Sequence, residues 1–136
     1  MTAAEKAKRL IIVPIVALEL ALVIAVGSQT FLGACVHDDG GFGPCHWASR
    51  AVLGLGAAQA VMAVMALLWP ERRQGIFLAM LPVSVLGFFT PGGLIDICRM
   101  NTMRCRMVMR PAMLVLFALT LALALAGCLT SRRRKA

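Results

Sequence analysis

The sequence predicts an all-α fold: a four-helix transmembrane bundle built from two tandem helix–cysteine loop–helix repeats. Three observations predict it. Of 136 residues, 60% are hydrophobic and only 15% charged, too few polar groups to cover a soluble domain of this size. The apolar residues gather into four stretches, each near the roughly 20 residues a helix needs to cross a bilayer. Landmarks of the first half recur in the second at an offset of 60 residues, as from Cys45 to Cys105.

The four spans read as Leu10–Ala34, Ala51–Trp69, Gly75–Ile97 and Pro111–Thr130. The first follows Lys6, Lys8 and Arg9 and outruns the apolar core of a signal peptide, about 7–15 residues, so it is expected to stay as a span. Hydrocarbon offers no partner for backbone groups, which makes each span a helix. Short connections make them antiparallel neighbours. Pro14, Pro82 and Pro91 predict kinks. Gly54-x-Gly56, with Ala57 and Ala58, gives the second span a small-residue face for close packing.

The repeat sets Gly27 on Gly87, Thr30 on Thr90, Gly33 on Gly93, Cys45 on Cys105 and Arg50 on Arg110. Arg72 and Arg73 fall on Arg132 and Arg133. Residues 1–136 thus form one domain of two units, about 10–73 and 75–135. Both units share one membrane orientation, which predicts a pseudo-two-fold axis along the membrane normal.

Orientation follows from the basic residues. With both termini in the cytoplasm, the inner set is Lys6, Lys8, Arg9, Arg72, Arg73, Arg132, Arg133, Arg134 and Lys135. The outer set is the smaller one: Arg50, Arg99, Arg104, Arg106 and Arg110. The net charge of +8 therefore reads as span flanks, not as a nucleic-acid surface. The four arginines of the second outer loop face Asp38 and Asp39, touch phosphates of the outer leaflet, or are simply solvated loop charges. Cys35, Cys45, Cys98 and Cys105 then share the oxidising side. Cys128 sits near the inner end of the last span as a small apolar residue.

The two cysteine loops admit three chemistries. Structural disulfides come first, and the repeat favours Cys35–Cys45 with Cys98–Cys105. Closing a loop of about ten residues contributes roughly 2–3 kcal/mol in the chain-entropy picture. Thiol–disulfide exchange is the second. The layout is similar in outline to bacterial disulfide-generating membrane oxidases, but the spacings here are Cys-x9-Cys and Cys-x6-Cys, not the reactive Cys-x-x-Cys. Metal binding is the third, with Cys35, His37, Cys45, His46, Cys98 and Cys105 as thiolate and imidazole donors that lack zinc-site spacing.

Glu19 is the one acidic residue deep within a span, Asp96 lying at the outer end of the third. An ionisable group at that depth is a functional candidate. It is either a neutral, hydrogen-bonded tie between helices or a contact for a partner's polar group. Residue counting puts Ser84 at the height of Glu19, with Gln59 and Thr120 as a second polar level. Trp47 sits where an aromatic belt would anchor.

The run Gly27-Ser28-Gln29-Thr30-Phe31, then Cys35, Cys45-His46-Trp47 and Leu53-Gly54-Leu55-Gly56, resembles an uncharacterised family of small bacterial four-span proteins, domain of unknown function 4418. Ile97-Cys98, Met103-Arg104-Cys105-Arg106-Met107 and Pro111-Ala112 resemble its second half. The resemblance implies the bacterial cytoplasmic membrane and an accessory role beside an FtsX/MacB-type ABC transporter permease. The chain carries no phosphate-binding glycine loop and no nucleophile–base pair. The expectation is a non-enzymatic membrane subunit with no cofactor and no soluble substrate. Its partners are the lipid bilayer and another membrane protein. The alternative is a thiol-redox or metal-handling protein using the outer cluster.

Overall fold

The structure is a computed structural model that describes residues 2–32, 43–97, 99, 102 and 105–135. Four helices make up nearly all of it: α1 (Ala3–Gln29), α2 (Pro44–Leu68), α3 (Arg73–Phe89) and α4 (Arg110–Lys135). A 3₁₀ turn, Pro70–Arg72, leads into α3, and a π turn, Cys105–Met109, leads into α4. The helices pack in a ring, α1 on α2, α2 on α3, α3 on α4 and α4 on α1. The α1–α2 and α3–α4 contacts are the more extensive.

Three helical stretches are long and apolar enough to cross a membrane: Ala3–Gln29, Pro44–Leu68 and Cys105–Arg133. The third helix in chain order, α3, has 17 residues and falls short of that length. It ends at Phe89, not at the expected Ile97. Pro91 interrupts the hydrogen-bond ladder, and Gly92 turns the chain with φ +89°. The N–H groups of Leu94 and Ile95 return to the carbonyls of Phe89 and Thr90 at 2.9 and 3.1 Å, closing the helix end. Pro91 therefore acts as a stop, while Pro14 and Pro82 lie inside helices.

The other span boundaries also move. The start of α2 is Pro44, not Ala51. Proline at the first helical position has its φ preset and no N–H to lose, so it begins the helix there. Cys45, His46, Trp47 and Arg50 consequently stand in the first turns of α2, not in a loop. Cys105 and Arg106 likewise stand in the π turn ahead of α4. Pro111 gives a reason for that turn: it cannot donate to the carbonyl of Met107, and the ladder widens around the gap.

Two apolar clusters fill the interior. At the cysteine end lie Ile24, Leu32, Ala48, Val52, Met109, Met113 and Phe117. At the far end lie Ala17, Ala63, Ala66, Phe77, Met80 and Ala124. Glycine lets the helices close on each other. A Cβ on Gly56 would stand 2.9 Å from the backbone nitrogen of Ala25. One on Gly87 would run into the Phe117 ring. The expected small-residue face divides: Gly56 packs on α1, whereas a Cβ on Gly54 would meet nothing within 4 Å.

Candidate functional site

A polar layer lies between the two apolar clusters. Gln59 on α2, Ser84 on α3 and Thr120 on α4 are all buried. Gln59 donates from Nε2 to the Ser84 hydroxyl at 2.8 Å, and Ser84 donates to the carbonyl of Met80 at 2.9 Å. The Thr120 hydroxyl stands 3.4 Å from that of Ser84. Gln59 Oε1 is buried with no hydrogen-bond partner among the described residues. The two expected polar levels are thus one: Ser84 meets Gln59 and Thr120, and Glu19 is not in the group.

Glu19 is exposed on the outer side of α1, flanked by Ile12, Ile15, Leu22, Val23 and Val26, all exposed as well. Gly56 packs against the turn from Ala21 to Ala25. Because α1 and α2 run antiparallel, Gln59 then lies one turn nearer the far end, close to the level of Glu19. The residue count set Glu19 level with Ser84 but apart from Gln59, whereas the packing brings the three to about one level. The direction of Glu19 is away from the polar layer, because that stretch of α1 buries Ala17 and Ala21 instead.

At the cysteine end, Cys45 and Cys105 are buried at 2% and 0% exposure, at positions related by the 60-residue offset. Neither forms a disulfide at bonding distance with a described cysteine. Their expected partners, Cys35 and Cys98, lie outside the described residues, as do His37 and Arg104. His46 is half-buried and meets the Trp47 ring edge-on at 5.7 Å. Among the described residues no cluster of three metal-ligating side chains occurs. Cys128 is half-buried, with its thiol 3.9 Å from the carbonyl of Gln74.

Of the basic residues at this end, Arg50, Arg99 and Arg106 are exposed and Arg110 is half-buried. Arg106 donates to the carbonyl of Arg99 at 3.2 Å. Arg110 lies over Gly92, where a Cβ would stand 3.2 Å from its Nε.

Two polar clasps were not foreseen. At the cysteine end Ser49 donates to the carbonyl of Ser28 at 2.6 Å, and Gln29 donates to the Ser49 hydroxyl at 3.0 Å. At the far end the buried Arg73 donates to the carbonyls of Ala66 at 2.6 Å and Leu10 at 2.7 Å. By sequence Arg73 is a cytoplasmic flank charge and a repeat landmark. The prolines four residues after Leu10 and Ala66 were the signal that could have found it.

The two tryptophans bracket α2. Trp47 is 60% exposed near its start and Trp69 is 52% exposed just past its end. Their separation along a helix is about 33 Å at 1.5 Å per residue. That matches a hydrocarbon thickness of about 30 Å with an aromatic at each interface.

Three long apolar helices, a sealed polar layer and exposed tryptophans near both ends of α2 define the class: a helical membrane protein. Over residues 17–130 the chain matches the family described as Domain of unknown function (DUF4418), and it belongs to that family. No curated protein and no solved structure matches the chain.

Proposed function

We propose that the chain is a non-enzymatic membrane subunit that docks on another membrane protein through the face of α1 carrying Glu19. One observation carries this reading: Glu19 is exposed among aliphatic side chains at mid-depth, turned away from the polar layer. Lipid tails cannot hydrogen-bond a carboxyl group, and leaving one there is costly. A neighbouring helix with a basic, hydroxyl or amide side chain would satisfy it. Such contacts hold membrane helices together with about 0.6–2 kcal/mol each. A permease of an FtsX/MacB-type ABC transporter is the partner that the family resemblance implies.

In this reading the chain crosses the bacterial cytoplasmic membrane four times, with α3 as the shortest span and both termini cytoplasmic. The same reading pairs Cys35 with Cys45 and Cys98 with Cys105 as disulfides that brace an extracytoplasmic cap. The equivalent, buried positions of Cys45 and Cys105 support that cap.

Photo-crosslinking in native membranes tests the docking face. A crosslinker at Val23, beside Glu19, is expected to capture one polytopic partner identified as a permease, and one at Val115 on α4 is not. Glu19→Leu is expected to abolish the adduct. An unchanged adduct pattern in Glu19→Leu, or a wild-type chain that purifies alone, would reject the reading. Reporters fused after Cys45 and after Cys105 are expected on the same side of the membrane. Disulfide mapping under non-reducing conditions is expected to return the two local pairs.

A further inference from the structure

A groove of about 430 Å³ opens between α2 and α3 toward the cysteine end. Ala51, Gly54 and Leu55 form one wall, and Leu86, Leu94 and Ile95 form the other. Thr90 is the one hydroxyl in the lining, and it donates to the carbonyl of Leu86 at 2.7 Å. The groove thus has the size of a ligand cleft and little to offer a polar ligand. Gly54 adds no side chain to its wall, and a Cβ there would meet nothing within 4 Å.

The mouth of the groove has the opposite character. Arg50 precedes Gly54 by one helical turn on the same face of α2 and is exposed. Arg110 reaches from the start of α4 across the turn that supplies Leu94 and Ile95. Its Cζ lies 3.4 Å from where a Gly92 Cβ would be, so its guanidinium covers that turn. Among the described residues this end carries four arginines, Arg50, Arg99, Arg106 and Arg110, against one acid, Asp96. A cationic rim above an apolar slot is complementary to an anionic head attached to a hydrocarbon tail.

We propose that this groove is a binding site for an anionic phospholipid of the leaflet at the cysteine end. One acyl chain lies between Gly54 and Leu94, and the phosphate is held by Arg50 and Arg110. Guanidinium groups suit a phosphate because their donors form a planar fork. The site is on the α2–α3 side of the bundle, separate from the Glu19 face of α1, and it does not depend on the docking reading above.

Native mass spectrometry of the full chain in detergent, after delipidation, tests the site. The probes are phosphatidylglycerol and phosphatidylcholine with identical acyl chains, with glycerol phosphate as competitor. One phosphatidylglycerol per chain is expected to bind in preference to phosphatidylcholine. Arg50→Gln is expected to weaken that binding about fivefold, and Arg50→Gln with Arg110→Gln by about that factor again. Gly54→Leu, which fills an open slot without touching the core, is expected to weaken phosphatidylglycerol binding with the arginines intact. Circular dichroism and a monodisperse elution profile check that each variant is folded. Equal binding of the two lipids would mean annular lipid only and would overturn the proposal. Displacement of the lipid by glycerol phosphate would overturn it too, since the acyl chain would then contribute nothing. Indifference to Gly54→Leu would remove the groove from the site.

Discussion

The guanidinium of Arg73 donates to the carbonyl of Leu10 at 2.7 Å, and that carbonyl is one that α1 cannot satisfy by itself. Its normal donor is the N–H four residues on, where Pro14 stands. The second acceptor of Arg73, the carbonyl of Ala66, has the same defect, because Pro70 stands four residues on. One buried arginine thus serves two proline gaps, in α1 and at the end of α2, and binds both helices to the start of α3. A cation is also favoured at the C-terminal end of α2 by the helix dipole.

Arg73→Leu is therefore expected to destabilise the bundle by about 2–4 kcal/mol in reversible unfolding in mixed micelles. Pro14→Ala restores a donor for Leu10. In that background the loss on Arg73→Leu is expected to shrink by about 1 kcal/mol. Additive effects would show that the Leu10 bond contributes nothing.

Ser84→Ala is expected to cost more than Gln59→Leu, although it removes less of the side chain. The first leaves the Gln59 amide buried without its acceptor, at about 1–2 kcal/mol. The second removes both ends of the amide, including the unpartnered Oε1, and is expected to cost under about 1 kcal/mol. The same unfolding assay orders the two variants, and a reversed order would contradict the bonding described for this layer.

Gly87→Ala drives a Cβ into the Phe117 ring, and a loss of about 2–3 kcal/mol is expected. Gly54→Ala enters open space and is expected to be neutral or to stabilise by up to about 1 kcal/mol through helix propensity. Thermal melts of the two variants in one detergent make the comparison. Phe117→Leu combined with Gly87→Ala is expected to recover part of the first loss.

Single-tryptophan variants Trp47→Phe and Trp69→Phe report on the placement of α2. In each, the remaining tryptophan is expected to be quenched strongly by lipid brominated near the headgroup and weakly by lipid brominated at the chain ends. Strong quenching by chain-end bromine in either variant would place that end of α2 inside the hydrocarbon.

The number and rough position of the helices were legible in the sequence. Each lies in an apolar run bounded by Gly, Pro and charge, three of them of membrane length and α3 shorter, and burial in lipid leaves helix as the local solution. The boundaries were less so. Pro44 was read as part of a loop when it begins α2, and Pro91 as a kink when, with Gly92, it ends α3. Both prolines lie at the edges of apolar runs, where hydropathy alone does not separate a helix start from a loop.

Depth was legible in part: rise per residue is constant, but counting set Gln59 and Thr120 on a level apart from Ser84, and the structure joins all three. Counting put Glu19 and Ser84 at similar heights. Rotation about the helix axis was not legible. These helices are apolar on every side, so no polar stripe marks which face turns inward. The bundle decides this by packing: Gly56 draws in the Ala21–Ala25 side of α1, which leaves Glu19 outward, while Gln59, Ser84 and Thr120 close on one another. Composition and periodicity along the chain determined that this is a membrane helix bundle. Only the close fit of small residues between helices decided which polar groups are sealed inside and which one is left facing out.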